Sequence, residues 1–410
     1  MVASPVSFDN TQNAFAYKSD AELKKARFLF RSMGNARLIK WGIRLTPLAI
    51  RAKLPIKGII RNTIFSQFVG GETLEQTASV ARKLGAYQVQ AILDYGVEGG
   101  EDGEMGFDHA CEEFIRVINY ASSQPNIPFI SIKVTGFARF ELLEKLDSSL
   151  GSSTGSLMKR YAASLASFTE AESAEWKRVQ ARMQRICETA AAKQVGILVD
   201  AEETWIQDPV DVLSIQMMEQ FNKQKGIVYN TAQLYRRDRL SFLRDMLEAA
   251  LLKHFVLGVK LVRGAYMEKE RARAEADHYP SPIQENKEAT DRDYTAAVVF
   301  CIDHIENITA IIATHNEFSN GYATQLLLER GLPLNHPHIH FSQLYGMSDN
   351  ITFNLAKAGC SVSKYLPFGP IDDVIPYLMR RAEENSSLSG QTGREFALIQ
   401  KELQRRRNEK

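Results

Sequence analysis

The sequence predicts an α/β protein: a (β/α)8 barrel of TIM type, with an extra helical N-terminal segment and a helical insertion. Three observations carry this expectation. From residue 88 onward, short β-rich runs alternate with helical stretches, the pattern of parallel strands joined by crossover helices. The runs number eight over roughly 300 residues, which suits a closed barrel better than an open doubly wound sheet. Lastly, Lys133, Asp200, Gln233, Lys260, Thr314, Gln343 and Tyr365 lie in or just after these runs, and barrel enzymes build their sites at the C-terminal rim of the strands.

Taken in order, residues 1–62 read as a helical, basic extension. Leu23 to Gly71 holds eleven Lys or Arg and no Asp or Glu, interleaved with Phe28, Phe30, Trp41 and Ile43, whereas the whole chain has a net charge of only +1. Two roles suit such a segment: peripheral contact with an anionic membrane, or packing of its apolar side on the acidic body. The run TIFSQFV (Thr63 to Val69) is ambiguous and is placed outside the sheet. Strands are expected at 88–94, 128–135, 195–200, 226–232, 257–262, 309–314, 338–343 and 361–366, within a catalytic barrel spanning 63–388. The stretch of about 136–193 is too long for a simple crossover. Its second half, EAESAEWKRVQARMQRICETAAAK, has strong helix propensity, while SSLGSSTGSL (Ser148 to Leu157) reads as a flexible loop. Residues 389–410 form a helical tail.

Composition narrows the classes. With 44% hydrophobic and 24% charged residues the chain is ordinary globular material. Cys111, Cys187, Cys301 and Cys360 are far apart and form no CxxC pair, so neither a disulfide framework nor a metal site is indicated. No apolar run reaches the 18 or more residues that span a bilayer. Asp9, Asp20 and Glu22 precede the basic segment, unlike a transit peptide, so the expected location is cytoplasmic, peripheral on the inner membrane if lipid is bound, with a mitochondrial location left open.

The richest local pattern is VSKYLPFGPIDDVIPYLMRRAEEN (Val362 to Asn385). Pro370 stands at a helix start and Asp372 and Asp373 follow where the helix dipole favours negative charge. Tyr377, Arg380, Arg381 and Glu384 then gather on one side, the two arginines about 100° apart. Two adjacent guanidinium forks suit a small carboxylate, although spacing alone favours a solvated charged face equally.

YLMRRAEEN, preceded by a strand bearing Tyr365, resembles the signature helix of the proline dehydrogenase family, flavoenzymes that oxidise L-proline. FISIK ending at Lys133, VDAEE with Asp200, KLVRGAY (Lys260 to Tyr266), ATHN (Ala313 to Asn316) and QLYGM (Gln343 to Met347) match in the same order, so the resemblance spans about residues 63–388. It implies FAD at the barrel mouth, held by Gln233, Lys260, Arg263, Ala265, Tyr266, Thr314 and His315. Which of Lys260 and Arg263 reaches the flavin ring stays open, because some relatives carry the pair in reverse order. It further implies that Arg380, Arg381 and Lys133 hold the substrate carboxylate, that Tyr365, Tyr377 and Leu261 wall the ring, and that Asp200 pairs with the second arginine. Glu98 would gate the pocket by pairing with the first, and Glu384 is a further helix-local partner.

The residues alone would not name the cofactor, since no GxGxxG follows the first strand. The resemblance implies a monofunctional enzyme that makes 1-pyrroline-5-carboxylate, the first step of proline catabolism to glutamate, with a quinone or other electron acceptor. Two rivals are a barrel using Lys260, Arg263 and Arg380 on a phosphorylated metabolite, and a non-enzymatic carboxylate-binding module. No nucleic-acid motif accompanies the basic segment, so nucleic acid is not an expected partner.

Overall fold

A computed structural model describes residues 5–34, 39, 41–42, 56–96, 103–151, 155–387 and 389–409, with backbone alone for 383–392. Eight strands, β1 (Gln90–Tyr95), β2 (Phe129–Ile132), β3 (Gly196–Val199), β4 (Val228–Gln233), β5 (Leu257–Val262), β6 (Ile308–Ala313), β7 (Ile339–Leu344) and β8 (Val362–Phe368), form a closed barrel in chain order. Strands β1 and β8 run parallel, with Ile92 opposite Tyr365, and this pairing closes the ring. Most of these strands are buried along nearly their whole length, which is why the sequence shows them as near-continuous apolar runs. The run Thr63 to Val69 lies outside the barrel, in the helical turns Arg61–Phe65 and Ser66–Phe68.

The chain divides into two compact units: Met1–Val97 with His315–Gln325 and Phe341–Lys410, and Glu98–Thr314 with Leu326–His340. In the first, the Asp20–Met33 helix opens on a capping box between Ser19 and Glu22 and buries Leu23, Ala26, Phe30 and Met33. They share one core with Phe65, Phe68, Ile371, Val374, Leu378, Leu398, Ile399 and Leu403. Residues 389–408, expected as a tail, are therefore a core helix. Arg406 on it donates to Phe15 O at 2.8 Å and Lys18 O at 2.9 Å, tying the chain ends together. Phe28, Trp41 and Ile59 remain about two-thirds exposed, while Ile43 lies outside the described residues.

In the second unit, the Phe140–Gly151, Leu157–Ser164 and Glu170–Lys193 helices precede β3. The loop expected from Ser148 is corrected in part: helix continues through Gly151, because Leu142, Leu143, Leu146 and Leu150 are buried at helical spacing and override the local Ser and Gly content. Residues 152–154 lie outside the described set. No helix among the described residues is long and apolar enough to cross a membrane.

Candidate active site

In the second unit, five strands deliver a side chain at or just past their C-terminal ends: Lys133 after β2, Asp200 after β3, Gln233 ending β4, Arg263 after β5 and Thr314 after β6. Lys260, within β5 and 5% exposed, bonds the Asp200 carboxylate through Nζ. This lysine is a partner the sequence reading had not assigned to Asp200. Leu261, next in the strand, turns to the other side of the pleat and is fully buried.

Arg263 is fixed on two sides. Its Nε donates to Asp291 at 2.7 Å, its Nη1 donates to Thr314 at 2.7 Å, and its guanidinium lies 4.3 Å from the centre of the Tyr294 ring. Gly264, Ala265 and Tyr266 turn the chain into the Met267–Ala276 helix, with Ala265 exposed and Tyr266 at the N-cap. The glycine is required there. Its φ is +127°, and a Cβ would stand 2.4 Å from the Tyr235 ring.

Gln233 donates from Nε2 to Glu202 O at 3.0 Å, and its Oε1, buried, has no hydrogen-bond partner among the described residues. A buried carbonyl oxygen is normally satisfied, so this acceptor fits an N–H donor from a bound group. Glu202 itself was not singled out from the sequence. Thr135 donates to its carboxylate at 2.8 Å, and burial pushes its pKa up to about 7, against the opposing pull of Lys133.

In the first unit, Arg380 and Arg381 sit on the Ile371–Ser387 helix, with Arg381 buried and its guanidinium 5.1 Å from the Tyr377 ring centre. Tyr365 is 8% exposed in β8. Glu98 and the Glu384 side chain lie outside the described residues. The His315 ring shares a 2.9 Å hydrogen bond between Nδ1 and Ser348 Oγ, while its Nε2 accepts from Leu344 N–H at 3.5 Å.

Behind β8 stands a buried ionic cluster that the sequence did not reveal. Lys364, 0% exposed, is 3.0 Å from Asp349 Oδ1 and also donates to Met347 O. Lys18 approaches Asp349 at 2.9 Å and Tyr17 donates to it at 2.8 Å. Glu395 accepts the Ser348 N–H. Burial and the nearby Asp349 charge push Glu395 up to about 7, whereas Lys18 and Lys364 outweigh burial at Asp349 and hold it at about 2.

Residues 77–394 match the family model described as proline dehydrogenase. The chain belongs to the proline dehydrogenase family. It is 37% identical over 351 residues to the carbapenem antibiotics biosynthesis protein CarD of Pectobacterium carotovorum subsp. carotovorum, covering 85% of this chain and 86% of that one. With proline dehydrogenase 1, mitochondrial, of Caenorhabditis elegans it is 28% identical over 544 residues, covering 98% and 88%. A crystal structure of proline utilization A from Bdellovibrio bacteriovorus, inactivated by N-propargylglycine, superposes with a TM-score of 0.66 at 19% identity, covering 92% of this chain and 38% of that one. At that identity the likeness speaks for the fold alone. Membership of this flavin-dependent oxidoreductase family disfavours both the barrel acting on a phosphorylated metabolite and the non-enzymatic module.

Proposed function

We propose that this chain oxidises L-proline to 1-pyrroline-5-carboxylate, with FAD as hydride acceptor. The family match over residues 77–394 carries the reading. The rim supports a flavin in particular: Gln233 Oε1 offers a buried acceptor to a ring N–H, and Arg263 and Lys260 supply cations for phosphate and ring oxygens. Thr314, His315, Ala265 and Tyr266 complete the proposed holding set. When bound, the flavin supplies the two-electron acceptor that no side chain provides.

The chain's own residues bind and orient. Arg380 and Arg381 present paired forks to the substrate carboxylate, with Lys133 as a third cation, and a guanidinium matches a carboxylate bidentately. Tyr377, which stacks by Arg381, and Tyr365 exclude water from the ring. Asp200, bonded to Lys260, balances positive charge that would otherwise be costly to bury. Glu98 gates the pocket. Electrons pass on to a quinone or another acceptor.

The basic segment, with Phe28 and Trp41 exposed beside it, rests on an anionic membrane surface in this reading. Co-sedimentation with anionic but not neutral vesicles, weakened by salt, is the expected result, and equal partitioning to both removes the membrane role. For the activity, anaerobic addition of millimolar proline to yellow, flavin-loaded protein should bleach the visible band. Protein that stays oxidised refutes the function.

A further inference from the structure

Three carboxylates follow β3 within four residues, and their surroundings differ. Asp200 is bonded by Lys260 and Glu203 by Lys269. Glu202, between them, has no ion pair among the described residues. One of its oxygens accepts the 2.8 Å hydrogen bond from Thr135, and no hydrogen bond from the described residues reaches the other. Its backbone is fixed on both sides, since Glu202 N–H donates to Gln207 Oε1 at 3.2 Å and its carbonyl accepts from Gln233. The residue is half-buried, so it is desolvated without being sealed from the rim.

The substrate proposed above arrives with a protonated secondary amine. Its nitrogen lone pair must be freed before hydride can leave the neighbouring carbon, yet the binding groups Arg380, Arg381 and Lys133 are cations. A carboxylate bonded to an ammonium loses that attraction when it takes a proton, which disqualifies Asp200 and Glu203. We propose that Glu202 is the proton acceptor of this site, a role that rests on the proline-oxidising reading. The N–H bond of the substrate ammonium breaks and an O–H bond forms on Glu202. The freed lone pair would become the C=N π bond, the hydride and its electron pair being taken up by the flavin the site would hold, and Glu202 would later release its proton to water. The charged groups around it are Lys133 on the β2 side and Asp200 and Glu203 on its own loop; burial, helped by the two neighbouring acids, outweighs Lys133 and the Thr135 hydrogen bond and raises its carboxyl to about 7, where a base at neutral pH is most effective.

The test is the pH dependence of kcat/KM for proline in flavin-loaded, full-length enzyme. Wild type should rise with pH to a plateau through a pKa near neutrality. Glu202→Gln should lose about 10²-fold at pH 7, the scale of general base catalysis, and keep rising to alkaline pH as the free amine form supplies the reaction. A Glu202→Gln profile superimposable on wild type, with flavin content unchanged, overturns the assignment. If that variant fails to hold flavin, Thr135→Val decides: losing the hydroxyl donor should move the wild-type limb to higher pH while Thr135→Ser leaves it, and an unmoved limb overturns the proposal. Wild type that proline does not bleach sinks the parent reading instead, so the two failures are distinguishable.

Discussion

Lys364→Met should destabilise the protein by about 3 kcal/mol while leaving the fold intact. Lys364 is wholly buried, its ammonium held by Asp349 at 3.0 Å and by the carbonyl of Met347. Breaking a buried ion pair by removing one partner costs about 3–5 kcal/mol, because the remaining charge is stranded in a poorly solvating site. Asp349 is not stranded entirely, since Lys18 at 2.9 Å and the Tyr17 hydroxyl at 2.8 Å stay in place. That places the loss at the low end of the range. Methionine has nearly the volume of the lysine stem, so the cavity contribution is small. Urea denaturation followed by circular dichroism gives the difference directly, and the melting temperature should fall by about 4 °C if the whole chain unfolds together, at roughly 2 cal/mol/K of unfolding entropy per residue. The Asp349→Asn, Lys364→Met double variant should be less destabilised than the two singles added, by about 1–3 kcal/mol. A Lys364→Met protein within 1 kcal/mol of wild type, or strict additivity in the cycle, would show that the cluster is not the coupled unit its geometry describes.

Arg381→Met should raise the KM for proline tens- to thousands-fold, the equivalent of about 2–5 kcal/mol, with flavin content little changed; an unchanged KM removes that helix as the carboxylate anchor. Gln233→Met keeps the bulk but removes the unpartnered acceptor, and should weaken flavin retention on dialysis by about fivefold, read from the visible flavin band by the measure of about 1 kcal/mol per hydrogen bond; full retention would mean that Oε1 has no flavin to serve. Thermal stability should be highest at about pH 4 to 5 and fall toward pH 8. Asp147, raised to about 8 by burial and the adjacent Asp208 charge, and Glu202 and Glu395, each at about 7, bind protons more tightly folded than unfolded, so their contribution is full only below about pH 4, where unfolded carboxyls titrate, and is lost progressively as pH rises to about 7 to 8. His340, lowered by burial to about 3, contributes above 6.5 and loses that as pH falls. A melting temperature that climbs from pH 6 to 8.5 in differential scanning fluorimetry contradicts this.

The barrel was legible because parallel strands buried on both faces leave apolar runs that no solvent-facing alternation interrupts. The expected strand at 257–262 coincides with β5, and the others are displaced by a few residues at their ends. Lys133, Asp200, Gln233 and Thr314 were legible for a related reason, since each sits where a strand stops, whereas Lys260 and Tyr365 lie within β5 and β8. Their partners were not. Lys260 and Arg263 both read as cations near a cofactor, but the turn at Gly264 and the pleat of β5 separate them: Lys260 is bonded to Asp200, and Arg263 to Asp291 and Thr314. The cluster of Lys18, Asp349, Lys364 and Glu395 left no local trace, because it joins both ends of the chain and a lysine inside a strand looks like any solvent-facing one. The same limit applies to Asp200, Glu202 and Glu203. As a string they are three acids on a loop, chemically alike, and only the positions of Lys260 and Lys269 distinguish the two that are compensated from the one that is not. A half-buried acid with no ion pair among the described residues is the arrangement that lets a carboxyl change charge near neutral pH, because burial disfavours its charged form.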